Sequence, residues 1–137
     1  MKTKKNTIIY GPITCGKVAH TEKALTQSIT VDGLTLREFD IEHKISPKLS
    51  DFIQHLLIQD INRMDKKVLT KLVEFCKSKD KTIIGFITIP KETNVWVIPN
   101  ESTSTCVEKT ISWNNEQFSI NEDFQVFDFF EIKSLVQ

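Results

Sequence analysis

Gly11 and Gly16 stand five positions apart, with Lys17 directly after the second. They follow a short apolar run, TIIY at 7–10, and precede a segment of helical composition. Glycines so placed let the backbone curl until successive N–H groups converge on one anion. The lysine then meets the outer oxygens, and the helix start adds its positive end. The chemistry this spacing fits is the holding of a phosphate chain, with Thr14 and Cys15 contributing further backbone N–H groups. A second candidate lies downstream, where the apolar run LLIQD at 56–60 ends in the carboxylate of Asp60. Cys15, beside a helix start and a lysine, is a candidate reactive thiol. It lacks a partner base, and position 21, where a cysteine phosphatase would place an arginine, is Thr21.

The elements that must position these groups follow from periodicity. Thr7 to Tyr10 reads as a buried strand ended by Gly11 and Pro12, and a helix is expected from near Gly16 to about Gln27. Asp32-Gly33 marks a turn, and the alternation of Leu34, Leu36, Phe39 and Ile41 predicts a second strand over 34–41. Ser46-Pro47 reads as the start of a short helix carrying Leu49, Phe52, Ile53 and Leu56, which gives way to LLIQD. Asp65 is placed to cap a third helix, because Val68, Leu69, Leu72, Val73 and Cys76 recur at helical spacing. TIIGFITI at 82–89 has the β-branched, apolar character of a strand buried on both faces.

Beyond Pro90 the runs VWVI (95–98), TCVEKTISW (105–113), QFSI (117–120) and FQVFDFF (124–130) are short and β-like. Asn114-Asn115 serves as a hairpin turn and NESTST (100–105) as an exposed loop. The expected fold class is therefore α/β. Alternating strands and helices imply right-handed crossovers and a three-layer, mainly parallel sheet, followed from about residue 91 by a β-rich extension. In such sheets ligands sit at the carboxyl ends of the strands.

With those elements in place, GPITCGK after an apolar strand resembles the phosphate loop of the P-loop NTPases, most of all AAA+ ATPases and viral helicases. LLIQD is similar to their Walker B strand. The resemblance covers about residues 6–90 and implies a nucleotide, ATP or another, on Gly11, Thr14, Cys15, Gly16, Lys17 and Val18. It implies Mg²⁺ held through water by Asp60. Two departures stand out. Val18 occupies the position where the family has a Ser or Thr whose hydroxyl binds the metal. After Asp60 come Ile61 and Asn62, where AAA+ proteins usually carry a glutamate that orients the attacking water. Backbone N–H groups and Lys17 suffice for binding, whereas turnover depends on the missing groups.

Composition narrows the remaining classes. The chain has 137 residues, 39% hydrophobic and 26% charged, with 18 basic and 18 acidic side chains. That is ordinary for a folded domain, and no net field draws in nucleic acid. Charge is nevertheless uneven: six lysines face Glu74 and Asp80 over 66–81, and five acids face Lys133 over 113–137. These are two solvated faces or a basic face meeting an acidic one, within the chain or between subunits. Arg63, just past Asp60, is either an arginine finger or an ordinary surface residue. His20, His43 and His55 make no metal-spaced pair, and three cysteines form no knuckle, so zinc is not expected. The aromatics from Trp96 to Phe130 read as packing of the β region. No apolar run approaches the ~20 residues that span a bilayer, and a reduced, cytoplasmic protein is expected. The leading functional expectation is a degenerate P-loop nucleotide-binding protein with weak or no hydrolysis and no assigned catalytic residue. Its alternatives are a non-catalytic module that binds a protein partner or itself, and an active ATPase of nucleic-acid processing in which Thr14 or Thr21 compensates for Val18.

Overall fold

The computed structural model describes residues 5–99, 109–120 and 124–133. The expected NESTST loop, Cys106 and the first residues of TCVEKTISW lie outside these. The chain opens with β1 (Thr7–Pro12), turns through the Gly11–Gly16 loop and enters α1 (Lys17–Ala24). β2 follows as Ser28–Asp32, then a helical stretch made of α2 (Glu38–Asp40), a π-helical turn (Ile41–Ile45) and a 3₁₀ turn (Ser46–Lys48). β3 (His55–Gln59), a 3₁₀ turn (Ile61–Arg63), α3 (Lys66–Ser78) and β4 (Thr82–Ile89) complete the first part. The remainder is β5 (Trp96–Pro99), β6 (Lys109–Trp113), β7 (Glu116–Ile120), β8 (Gln125–Asp128) and α4 (Phe129–Lys133).

Five strands form one parallel sheet in the order β2-β3-β4-β1-β8, and β5-β6-β7 form a small antiparallel sheet. Strand side chains alternate between faces, and the core divides accordingly. Ile9, Leu57, Ile84 and Phe86 pack with Leu25, Phe129 and Ile132 on the side of α1 and α4. Their neighbours Ile8, Leu56, Ile58, Ile83 and Ile87 pack with the Val68, Leu69, Leu72, Val73 and Cys76 stripe of α3. Ile111, Trp113, Phe118 and Ile120 of the small sheet join that second cluster, so the layer facing α3's side is part helix and part sheet. The mixed α/β architecture and the mainly parallel sheet agree with the sequence reading.

Several local expectations hold: β4 spans 82–89, and Asp65 caps α3 by accepting the Lys67 N–H at 2.8 Å. Asn114 and Asn115 both take positive φ, 45° and 63°, between β6 and β7. That left-handed pair matches the twist of a tight hairpin and tolerates asparagine.

Three expectations are corrected. No strand runs over 34–41; β2 lies before the Asp32-Gly33 turn, and the chain after it is helical. The buried Asp40 carboxylate accepts the Arg37 N–H at 2.9 Å and fixes that helix start, a bond that holds its carboxyl below the usual range against the opposing effect of burial. Likewise Ser46-Pro47 ends this stretch instead of opening a helix, leaving Phe52 exposed and sending Leu56 into the core of β3. The segment 124–130 also goes elsewhere than the small sheet: β8 lies parallel to β1, with Thr7 opposite Gln125 and Tyr10 opposite Asp128.

Candidate functional site

The connection after β1 leads to α1 on one face, whereas that after β4 leads to the small sheet on the other. Adjacent parallel strands whose connections diverge leave a crevice at their carboxyl ends. The Gly11–Gly16 loop and Thr88 of β4 flank this crevice, and Asp60 closes it from the far side of β4.

Within the loop, Thr14 and Gly16 take positive φ, 65° and 79°. Glycine adopts that region freely, whereas at Thr14 it stores strain. Gly16 precedes the first turn of α1, whose N–H groups receive no side-chain cap and no acidic neighbour. The positive helix end is thus left uncompensated. Gly11 is buried, and a Cβ there would lie 3.1 Å from Cys15 Sγ and 3.2 Å from Phe129 Cβ, which folds the loop tightly over its own strand. Thr14 is exposed and Cys15 half-buried.

Lys17 is the centre of the arrangement. It is only 6% exposed, and its Nζ donates to Thr88 Oγ1 at 2.8 Å. Burial pulls its pKa below the ordinary 10.5, with Cys15 and Asp60 opposing that shift. The ammonium is therefore partly desolvated, near Asp60 and bonded to a neutral hydroxyl, a condition under which an incoming anion gains most.

Asp60 takes positive φ (53°) at the end of β3, opening the 3₁₀ turn that carries Asn62 and Arg63. Its backbone is held by Gly33, whose N–H donates to Gln59 O at 2.7 Å. A Cβ on Gly33 would lie 2.8 Å from that oxygen and 2.9 Å from Asp60 O. Among the described residues no three His, Cys, Asp or Glu side chains group as a metal site. A single carboxylate such as Asp60 is compatible with Mg²⁺, which would take its remaining ligands from water or a bound anion.

Val18 packs with the Phe129 and Ile132 cluster and offers no oxygen. Thr21, the other hydroxyl weighed for that task, is buried and donates to Lys17 O at 2.8 Å, so its hydroxyl is engaged within the helix.

Two contributors lie outside the sequence reading. One is Thr88, whose only signal is its place as the one exposed, polar residue near the carboxyl end of an apolar strand. The other is the β6–β7 hairpin. A cleft of ≈ 630 Å³ is lined by Ile13 of the loop, Asp60, Asn62, Arg63 and Thr88, together with Trp113, Glu116 and Gln117 of the hairpin. No protein-family model matches this chain, and no curated protein sequence matches it.

Proposed function

We propose that this chain is a degenerate P-loop nucleotide-binding protein, holding ATP or another nucleotide with slow hydrolysis or none. The observation that carries the reading is Lys17, a buried ammonium at the mouth of a glycine loop, bonded to one neutral hydroxyl and set at the carboxyl ends of parallel strands. Phosphates would lie on the N–H groups of the Gly11–Gly16 loop and the first turn of α1. Lys17 would leave Thr88 to meet the outer phosphate, and Asp60 would hold Mg²⁺ through water. When bound, Mg²⁺ supplies charge neutralisation on the phosphate chain. Val18 weakens that metal's hold because it adds no ligand.

The test is thermal melting of wild type and Lys17→Ala with ATP, ADP, GTP and inorganic triphosphate, each with and without Mg²⁺. A stabilisation present in wild type and lost in Lys17→Ala is the expected result. No shift with any of these ligands would refute the reading.

A second reading, a protein-interaction module on the same fold, is favoured by one observation. Trp96 and Val97 lie exposed on β5, an edge strand of the small sheet. An apolar edge with unpaired backbone groups is a template for another chain.

A further inference from the structure

We propose that Glu116, at the start of β7, is the carboxylate that orients the attacking water and takes its proton. It would replace the glutamate absent after Asp60, and the proposal rests on the nucleotide reading of Lys17. Lysine 17 contacts Thr88, and Thr88 lines the same cleft as Glu116, so a terminal phosphate on Lys17 would face that cleft. Among the described residues two carboxylates line it, Asp60 and Glu116. Asp60 acts on the Lys17 ammonium and would serve the metal, whereas Glu116 reaches the cleft from the hairpin and would act on water.

Two residues lining the cleft also carry unpartnered polar atoms. Trp113 is 2% exposed, yet its Nε1–H has no hydrogen-bond partner among the described residues, and neither has the buried Oδ1 of Asn62. Both residues line the cleft. Both atoms are withdrawn from solvent in this arrangement, so a polar molecule reaches them only if the hairpin or the Asn62 turn shifts. Glu116 is paired with Trp113 across the hairpin, and the left-handed Asn114-Asn115 turn fixes that register. The carboxylate is thereby held on the hairpin that lines the cleft.

In the step itself, the water oxygen forms a bond to the terminal phosphorus as its proton passes to a Glu116 carboxylate oxygen. The bond from that phosphorus to the bridging oxygen breaks. The electron pair leaves with the nucleoside diphosphate, whose charge Lys17 offsets, and Glu116 returns the proton to solvent.

The experiment measures ATP affinity, melting temperature and phosphate release for wild type, Glu116→Gln and Glu116→Asp. Glu116 is exposed at the start of β7, so the isosteric Gln variant should melt and bind ATP like wild type. Its phosphate release should fall at least about tenfold, with Glu116→Asp between the two. Binding by wild type without any phosphate release, or release undiminished in Glu116→Gln, overturns the role of Glu116 and leaves nucleotide binding intact. Failure of wild type to bind ATP overturns both.

Discussion

Replacing Lys17 with methionine separates the two things this residue does. In the free protein its ammonium is withdrawn from water and receives one hydrogen bond acceptor, the Thr88 hydroxyl, while burial is the largest influence on its pKa and acts downward. The charge is therefore a net cost to the unliganded fold, kept for what it meets when a ligand arrives. Methionine has a similar length, fills the same volume and carries no charge. Thr88 is itself exposed, so its hydroxyl turns to water at little cost. Exchanging buried ionic groups for apolar ones of matching size ranges from neutral to stabilising by about 4 kcal/mol. With a single neutral partner to lose, a gain of about 1 kcal/mol is expected, or roughly 3 to 5 °C in melting temperature. Nucleotide acts in the opposite direction: at 100 times its Kd it stabilises wild type by about 2.7 kcal/mol, on the order of 10 °C, and should leave Lys17→Met unmoved. Calorimetric melts should thus change order, the variant melting higher without ATP and lower with it. A Lys17→Met protein that melts several degrees below wild type without ligand would show that the lysine is a structural strut, and the reasoning would fail.

Val18→Thr places a hydroxyl against the Phe129 cluster at a modest cost in stability, and should steepen the Mg²⁺ dependence of ATP affinity in a titration. An unaltered metal response would mean that position 18 does not face the phosphates. Gly33→Ala drives a Cβ against two backbone oxygens that carry Asp60, so a loss of about 2 to 3 kcal/mol in urea unfolding and a weaker Mg²⁺ response are expected. Wild-type melting in that variant would contradict the packing described for Asp60. Burial lowers the pKa of His55 from 6.5, so the folded state resists a proton that the unfolded chain accepts. Its contribution is constant above pH 6.5 and stability drains as pH falls below that value, a slope that His55→Gln should flatten in unfolding titrations. Cys76 is 1% exposed, with its thiol pKa pushed up to about 12 by burial, whereas Cys15 is half-buried in the loop. Peptide mapping after alkylation of the folded protein should find label on Cys15 and none on Cys76 until denaturant is added.

The strands that a sequence reveals best are those buried on both faces. β1 and β4 carry unbroken apolar runs, and α3 carries its stripe and its capping aspartate in plain view. β2 is an edge strand whose first four residues are only half-buried, and SITVD has little apolar pattern to detect. The neighbouring Leu34, Leu36, Phe39 and Ile41 imitated alternation, although Leu34 and Phe39 are exposed and what decides the local backbone is the Asp40 bond to Arg37. Of the β run expected over 124–130, only Gln125–Asp128 is strand, Phe129 and Phe130 opening α4; its partner was not readable, because pairing with β1 is a contact between distant parts of the chain. The same limit applies at the crevice. Gly11, Gly16 and Lys17 are contiguous enough to form a motif, whereas Thr88, Trp113 and Glu116 reach it only through the order of strands and the packing of the hairpin.

That strand order also constrains how the protein is made. β1 precedes every other strand in synthesis, yet both of its neighbours, β4 and β8, are translated far later, Thr7 pairing with Ile84 on one side and Gln125 on the other. Pairings so remote in sequence are slow to nucleate because a long loop must close before any contact repays it. On the ribosome, the apolar TIIY segment therefore waits with both edges open until β4 has emerged, and with one edge open until β8 follows. The Gly11–Gly16 loop is continuous with this strand and lies against Phe129, so part of its packing waits on the last segment of the chain.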